Sequence, residues 1–222
     1  MQIAIVGSGV VARFFGQAFA TAGHQVTLGT RDPEQTRTRP EWSDPSTGSG
    51  PMRAEPLEAL SLVSYADLRG DVFVNATRGD GSLAALQAVG PALDDRVLID
   101  ASNPLDDSSG FPPSLFVANT DSLAEQLQRA LPQVRLVKMF NTMAHEVMVD
   151  PAGLGQESTI FLAGNDESAR QTATDLARDL GWTDVMDLGD LTAARGLEMY
   201  IPLWLRLYGA VGQPLFNIKV VR

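Results

Sequence analysis

Met1-Gln2-Ile3-Ala4-Ile5-Val6-Gly7-Ser8-Gly9-Val10-Val11-Ala12 opens the chain as an apolar strand that runs into a glycine-hinged turn and then a helix. It has the parts of a dinucleotide-binding fingerprint. Gly7 permits the tight turn off the strand, Gly9 lets the backbone approach a pyrophosphate, and Ala12 keeps the third position small enough for close helix–strand packing. The helix N-terminus brings free N–H groups and partial positive charge to the phosphates. Ile3 to Val6 is the short apolar run of a buried parallel strand, and Val11, Phe15, Ala18, Phe19 and Ala22 recur behind it at helical spacing. Gly23-His24 ends the helix, and Gln25-Val26-Thr27-Leu28-Gly29 reads as a second strand that completes a βαβ unit.

The residues after that strand select the nucleotide. A carboxylate there takes the ribose hydroxyls of NAD, whereas space and positive charge accommodate the 2′-phosphate of NADP. The chain reads Gly29-Thr30-Arg31. Gly29 leaves space, the Thr30 hydroxyl can donate to a phosphate oxygen, and Arg31 can pair with the phosphate or lie over the adenine. This points to NADP(H). The competing carboxylate is Asp32, which would make an NAD protein, but Asp32-Pro33 reads as the cap and first residue of a further helix or turn.

The 222 residues are 44% hydrophobic, enough for one large α/β domain with an extension. No apolar run reaches membrane-spanning length and the start lacks a secretory pattern, so a cytoplasmic location without membrane contact is expected. The absence of cysteine excludes disulfides, thiolate catalysis and iron–sulfur chemistry, and with only His24 and His145 no metal site is expected. Seventeen basic against 27 acidic residues give a net charge of −10, which opposes nucleic-acid binding and anionic membranes. An anionic cofactor must therefore be captured locally, by Arg31 and the helix behind Gly9; Arg37 and Arg39 either add to that capture or are solvated loop charges.

Downstream, strands and helices alternate without internal repeats. Asp32 to Pro56, rich in Pro, Ser, Thr and Gly, reads as a long loop leaving the adenosine end. A short strand at Leu62 to Ser64, a helical turn at Tyr65 to Leu68 and a strand at Asp71 to Thr77 follow. Asn75, Ala76 and Thr77 fall at the carboxyl edge where open α/β sheets bind ligands. A helix over Ser82 to Val89 leads to a strand at Arg96 to Asp100, whose Asn103-Pro104 turn is either an approach to the nicotinamide or an ordinary loop. An amphipathic helix, Ser122 to Ala130, capped by Thr120 or Asp121, precedes a sixth strand at Leu136 to Phe140. Six strands complete a Rossmann-type, doubly wound, mainly parallel α/β sheet. A strand at Thr159 to Ala163, a helix at Ser168 to Leu180 capped by Asp166, and a strand at Asp184 to Leu188 extend it. The chain therefore divides into a nucleotide-binding domain, residues 1–189, and an apolar C-terminal helical extension, residues 190–222, which serves the acceptor site or a dimer contact.

Three segments, Ile3 to Gly9, Val26 to Asp32 and Val137-Lys138-Met139-Phe140-Asn141-Thr142, together resemble the NADPH-dependent coenzyme F(420) reductases. That family includes the cytoplasmic reductase domains of animal membrane ferric reductases. The resemblance covers essentially the whole chain, including Leu191 to Glu198. It implies a cofactor pocket of Ser8, Gly9, Val10, Val11, Thr30 and Arg31, beside the Gly7 turn of the fingerprint, with the nicotinamide toward Asn75 to Thr77, Asn103, Pro104 and Asn141. It implies a homodimer whose tail helps close the acceptor site. In the deazaflavin reductases a histidine stands at the position of Asn141, so this chain is closer there to the ferric-reductase branch. Asn141 either hydrogen-bonds a ring carbonyl or caps the turn after the strand.

Hydride transfer to a planar ring needs two stacked rings and little acid–base machinery. The sequence carries no Ser–His–Asp set, no Lys–Tyr relay and no carboxylate pair placed for a cleft. His145 is the candidate general acid, with a structural role as its alternative. The leading expectation is hydride transfer between NADPH and a small-molecule acceptor, coenzyme F(420) or a flavin. The alternatives are a reductase of a small imine or carbonyl, and a non-catalytic NADP(H) sensor.

Overall fold

The computed structural model describes residues 1–43 and 60–222. Its centre is β1 (Gln2–Val6), which pairs in parallel with β2 (Gln25–Thr30) on one side and β4 (Val72–Asn75) on the other. β3 (Ser61–Ser64) adds to β2, and β5 (Val97–Asp100) and β8 (Arg135–Met139) add beyond β4, all parallel. The chain thus winds outward in both directions from β1, which leaves a crevice at the carboxyl ends of β1 and β4. β9 (Thr159–Gly164) joins β8 antiparallel and β10 (Asp184–Asp187) joins β9 parallel, giving the eight-strand order β10-β9-β8-β5-β4-β1-β2-β3. The mainly parallel α/β sheet expected from the sequence is present, with two further strands at its far edge.

Alternation along the strands divides the core in two. Ile3, Ile5, Val72, Val74, Val97 and Ile99 face one layer, with Phe15 and Phe19 of α1 (Val10–Thr21) and Leu176 of α7 (Glu167–Asp179). Ala4, Val6, Phe73 and Leu98 face the other, with Leu86 of α4 (Gly79–Val89) and Leu127 of α5 (Leu123–Ala130). Each fully buried Phe or Leu in these layers contributes about 1.5–3 kcal/mol by leaving water.

Several local expectations change. α4 starts at Gly79, three residues before Ser82, because Gly79 has no side chain to meet the Asn103 carbonyl against which it packs. α5 is capped by Ser122, whose Oγ accepts the Glu125 N–H at 3.1 Å, and not by Thr120 or Asp121; Asp121 pairs instead with Arg129. The stretch read as a loop from Asp32 holds α2 (Pro33–Arg37) and α3 (Pro40–Ser43), while its part from residue 44 lies outside the described residues. Arg37 is not merely solvated: it donates to the Leu62 carbonyl at 2.9 Å and ties α2 to β3. A small antiparallel pair, β6 (Leu105–Asp106) and β7 (Ser114–Leu115), follows β5.

After β10 come α8 (Ala194–Met199) and α9 (Ile201–Val211), with α6 (His145–Val149) lying earlier, behind β8. Ala194, Leu197 and Ile201 are buried against the body. The tail then returns to β9, where Thr159 N–H donates to the Ile218 carbonyl at 2.9 Å and Lys219 and Arg222 hold Asp184. Among the described residues no helix is long and apolar enough to cross a membrane.

Candidate functional site

A cleft of about 580 Å³ opens at the carboxyl ends of β1 and β4. It is lined by the turn Gly7, Ser8 and Gly9, by Ala76 and Thr77 after β4, by Arg31 and Tyr65, and by Arg78, Asp80 and Gly81 at the start of α4. Gly7 has φ 125°, and a Cβ there would stand 2.8 Å from the Ala76 carbonyl oxygen, so glycine is what lets β1 turn beside β4. At Gly9 nothing lies within 4 Å of a Cβ position, and the residue starts α1 without a side-chain cap. α4 likewise begins beside the cleft, after Arg78, without a side-chain cap. The starts of α1 and α4, neither with a side-chain cap, therefore both lie at one concavity, an arrangement suited to a pyrophosphate.

On the adenosine side Arg31 is exposed on the cleft wall. Burial pushes the neighbouring Tyr65 phenol up, and the Arg31 charge partly opposes this. The room provided by Gly29 is taken by protein: a Cβ there would sit 2.7 Å from Leu68 Cδ2 and 3.0 Å from Tyr65 Cδ1, so Gly29 seats Tyr65. Thr30 is buried in a hydroxyl chain. Ser8 Oγ donates to Thr30 Oγ1 at 3.3 Å, Thr30 and Thr36 hydroxyls meet at 3.0 Å, and Thr36 donates to the Asp32 carbonyl at 2.7 Å. Asp32 Oδ1 accepts the Gln35 N–H at 2.9 Å and caps α2. Val10 borders the turn partly exposed, and Val11 packs onto the core.

On the other half, Ala76 and Thr77 line the cleft whereas Asn75 is fully buried beneath it. Asn75 Nδ2 donates to Asp100 Oδ1 at 2.8 Å and Ser82 Oγ at 3.1 Å, and its Oδ1 accepts the Thr77 hydroxyl at 2.7 Å. Asn103 and Asn141 pair: Asn141 Nδ2 donates to Asn103 Oδ1 at 2.9 Å, and Asn103 Nδ2 donates to the Asn141 carbonyl at 2.9 Å. Asn141 Nδ2 also donates to the Leu197 carbonyl at 3.0 Å, which fixes the amide orientation because a carbonyl accepts only. Both Asn141 N–H groups are thus spent inside the protein, and its buried Oδ1 has no hydrogen-bond partner among the described residues. The amide is set to accept a hydrogen bond and not to donate to a ring carbonyl, and it ties the turn after β8 to α8 in place of capping it. The Pro104 carbonyl accepts the Phe116 N–H at 2.9 Å.

His145 is half-buried at the start of α6, edge-on to Phe14 with ring centroids 4.5 Å apart. Its buried Nε2 makes no hydrogen bond among the described residues and lies 3.5 Å from Glu146 Oε1. Burial lowers its pKa, Glu146 opposes this, and Arg13 adds to the lowering, so the ring is neutral at neutral pH.

Sequence reading passes over Tyr65, Arg78, Asp80, Gly81 and the small face Ala84, Ala85 and Ala88 of α4, which also line the cleft. It also passes over Lys138, a charge inside the apolar run Leu136 to Phe140. The Lys138 ammonium is fully buried, 2.8 Å from Asp100 Oδ2 and 3.0 Å from Glu198 Oε1. Burial alone would favour its neutral form, but the two carboxylates outweigh that and hold its pKa above the ordinary lysine value.

No family model matches the chain. The F(420)-dependent NADP reductase of Methanocaldococcus jannaschii is 26% identical over 210 residues, spanning 93% of this chain and 92% of that protein. The metalloreductase STEAP3 of Rattus norvegicus is 27% identical over 205 residues, which is 92% of this chain but 37% of the relative. A crystal structure from Arthrobacter sp. FB24, provisionally described as an F(420)-dependent NADP-reductase, is 43% identical with a TM-score of 0.91 and covers 100% of both chains. An NADP-bound pyrroline carboxylate reductase from Plasmodium falciparum shares the fold, with a TM-score of 0.54 at 13% identity.

Proposed function

From a chain that belongs to the family of F(420)-dependent NADP reductases, we propose an NADP-dependent oxidoreductase that passes hydride between NADPH in the cleft and a deazaflavin stacked on the nicotinamide. The observation that carries the choice of nucleotide is the end of β2, where Arg31 faces the cleft while Asp32 is spent capping α2.

The nicotinamide supplies the hydride when bound. The chain's own residues bind and orient. Gly7, whose own N–H is held by the Gly29 carbonyl, makes the turn that lets the Gly9 backbone approach the pyrophosphate, the N-termini of α1 and α4 favour its charge, and Arg31 takes the 2′-phosphate. Thr30, in its hydroxyl chain with Ser8 and Thr36, holds Arg31 and the glycine turn in place. Ala76 and Thr77 form the nicotinamide end of the cleft, while Asn103, Pro104 and Asn141, which do not line it, support the loops after β5 and β8 through the Asn103–Asn141 pair. The proton that the deazaflavin takes up along with the hydride is supplied by solvent, so no side-chain donor is required, and His145, neutral and turned onto Phe14, fits a structural role.

Residues 190–222 act as the extension that closes the acceptor site, and the chain works as a cytoplasmic homodimer. The dimer reading is supported by Leu203, Tyr208 and Val211, large apolar residues exposed on α9. The test of the reaction is a single anaerobic turnover with NADPH deuterated at the nicotinamide C4. Deuterium recovered in the reduced deazaflavin supports direct transfer, and its appearance in solvent alone refutes it.

A further inference from the structure

Lys138 is one of only two lysines in the chain, and it stands where a lysine is least expected, within a central strand and wholly buried. Asn75, Asp100 and Lys138 occupy facing positions on the adjacent strands β4, β5 and β8. They form a polar row across the sheet, on the layer shared with α4 and α5. The row begins at the cleft, where the Thr77 hydroxyl donates to Asn75 Oδ1, and continues through Asp100 to Lys138 and Glu198 of α8. Glu198 finishes it by accepting the Leu123 and Ala124 N–H groups at the start of α5, at 2.8 and 3.1 Å.

Two carboxylates and one ammonium leave one net negative charge in the interior, offset by the N-terminus of α5. A buried ion cluster of this kind is a poor source of stability compared with apolar packing of the same volume. Its geometry suits another task. Leu197 and Glu198, consecutive residues of α8, are both bonded to β8 and its following turn: Leu197 through its carbonyl to Asn141, and Glu198 through its carboxylate to Lys138. These two struts fix α8 against β8 and the turn that follows it.

We infer that Lys138 and Glu198 are positioning residues that hold α8 as the wall of the acceptor site, in register with the cofactor cleft through Asp100, Asn75 and Thr77. The inference rests on the reaction proposed above for the identity of the acceptor. Neither residue touches the reacting atoms; they set where the acceptor ring lies.

The experiment compares the full chain with Lys138→Met, Glu198→Gln and the double variant. Lys138→Met alone leaves two facing carboxylates and lowers the thermal midpoint most. The double variant restores the single net negative charge, and the amide oxygen introduced by Glu198→Gln still accepts one N–H of α5, so its thermal midpoint and its NADPH affinity return toward those of the parent. Its KM for F(420) stays raised by about tenfold, and amide exchange across residues 194–199 stays faster than in the parent while α1 is unchanged. A double variant that recovers the KM together with the midpoint overturns the inference, as does unchanged exchange in α8. Should the double variant fail to fold, Glu198→Gln alone carries the same KM and exchange comparison. If the parent does not reduce F(420) at all, the reaction assignment fails, and the exchange measurement still decides the strut.

Discussion

Replacing Arg31 with alanine separates the two nicotinamide cofactors, and the size of the effect follows from where the residue sits. Arg31 lies at the end of the cleft next to Tyr65, exposed, and no hydrogen bond or ion pair engages it among the described residues. A charge-assisted hydrogen bond to a phosphate contributes about 1.5–3 kcal/mol, and exposure to solvent and salt places this one at the lower end, about 1.5 kcal/mol. Stacking of the guanidinium on the adenine adds about 0.5–1 kcal/mol, and this part is lost for both nucleotides. NADPH binding therefore weakens by about 2–2.5 kcal/mol, roughly thirty- to seventyfold in Kd, while NADH weakens by about two- to fivefold. Titrations of nucleotide fluorescence measure both constants, and repeating them at higher salt adds a check: the parent loses part of its NADPH preference, and Arg31→Ala has little left to lose. Equal losses for NADPH and NADH refute the phosphate assignment.

Gly79→Ala drives a methyl group into the Asn103 carbonyl and displaces the start of α4 from the loop after β5, so it destabilises the fold by about 3 kcal/mol in a urea unfolding titration and weakens NADPH binding; a stability equal to the parent's contradicts the packing described. His145→Gln leaves the rate of F(420) reduction within about threefold, because no general acid is needed, and a near-complete loss of turnover restores the imine or carbonyl alternative. The same variant has a pH signature. The folded pKa of His145 is lowered, so its contribution is fully present above the ordinary value of 6.5 and is lost as the pH falls through that value toward the lower folded one. His145→Gln therefore flattens the decline in thermal midpoint on the acid side of pH 6.5, and an unchanged decline places the titrating group elsewhere.

The parts of the fold that rest on local pattern are readable in the sequence. The glycine turn with its flanking strand and helix, the six parallel strands and the cap at Asp32 all depend on residues close together in the chain. What escapes depends on packing between distant segments. Gly79 looks like a helix breaker in sequence because its value, clearance from the Asn103 backbone, exists only once β5 and α4 are side by side. Gly29 suggests open space for a phosphate, whereas Tyr65 and Leu68 fill that space from another part of the chain. The residue type of Asn141 suggests a donor to a ring carbonyl, but two acceptors brought by the loop after β5 and by α8 use its N–H groups. The row of Asn75, Asp100 and Lys138 needs the strand register to be seen, since each residue alone is one polar group in or at the end of an apolar run.

The most direct test of the account is anaerobic mixing of the purified protein with NADPH and coenzyme F(420), following the loss of the oxidised deazaflavin absorbance, with NADH and with free flavin in parallel. Enzyme-dependent bleaching of F(420) with NADPH and a much slower reaction with NADH are the expected results. A protein that binds NADPH tightly yet leaves the F(420) absorbance unchanged contradicts it.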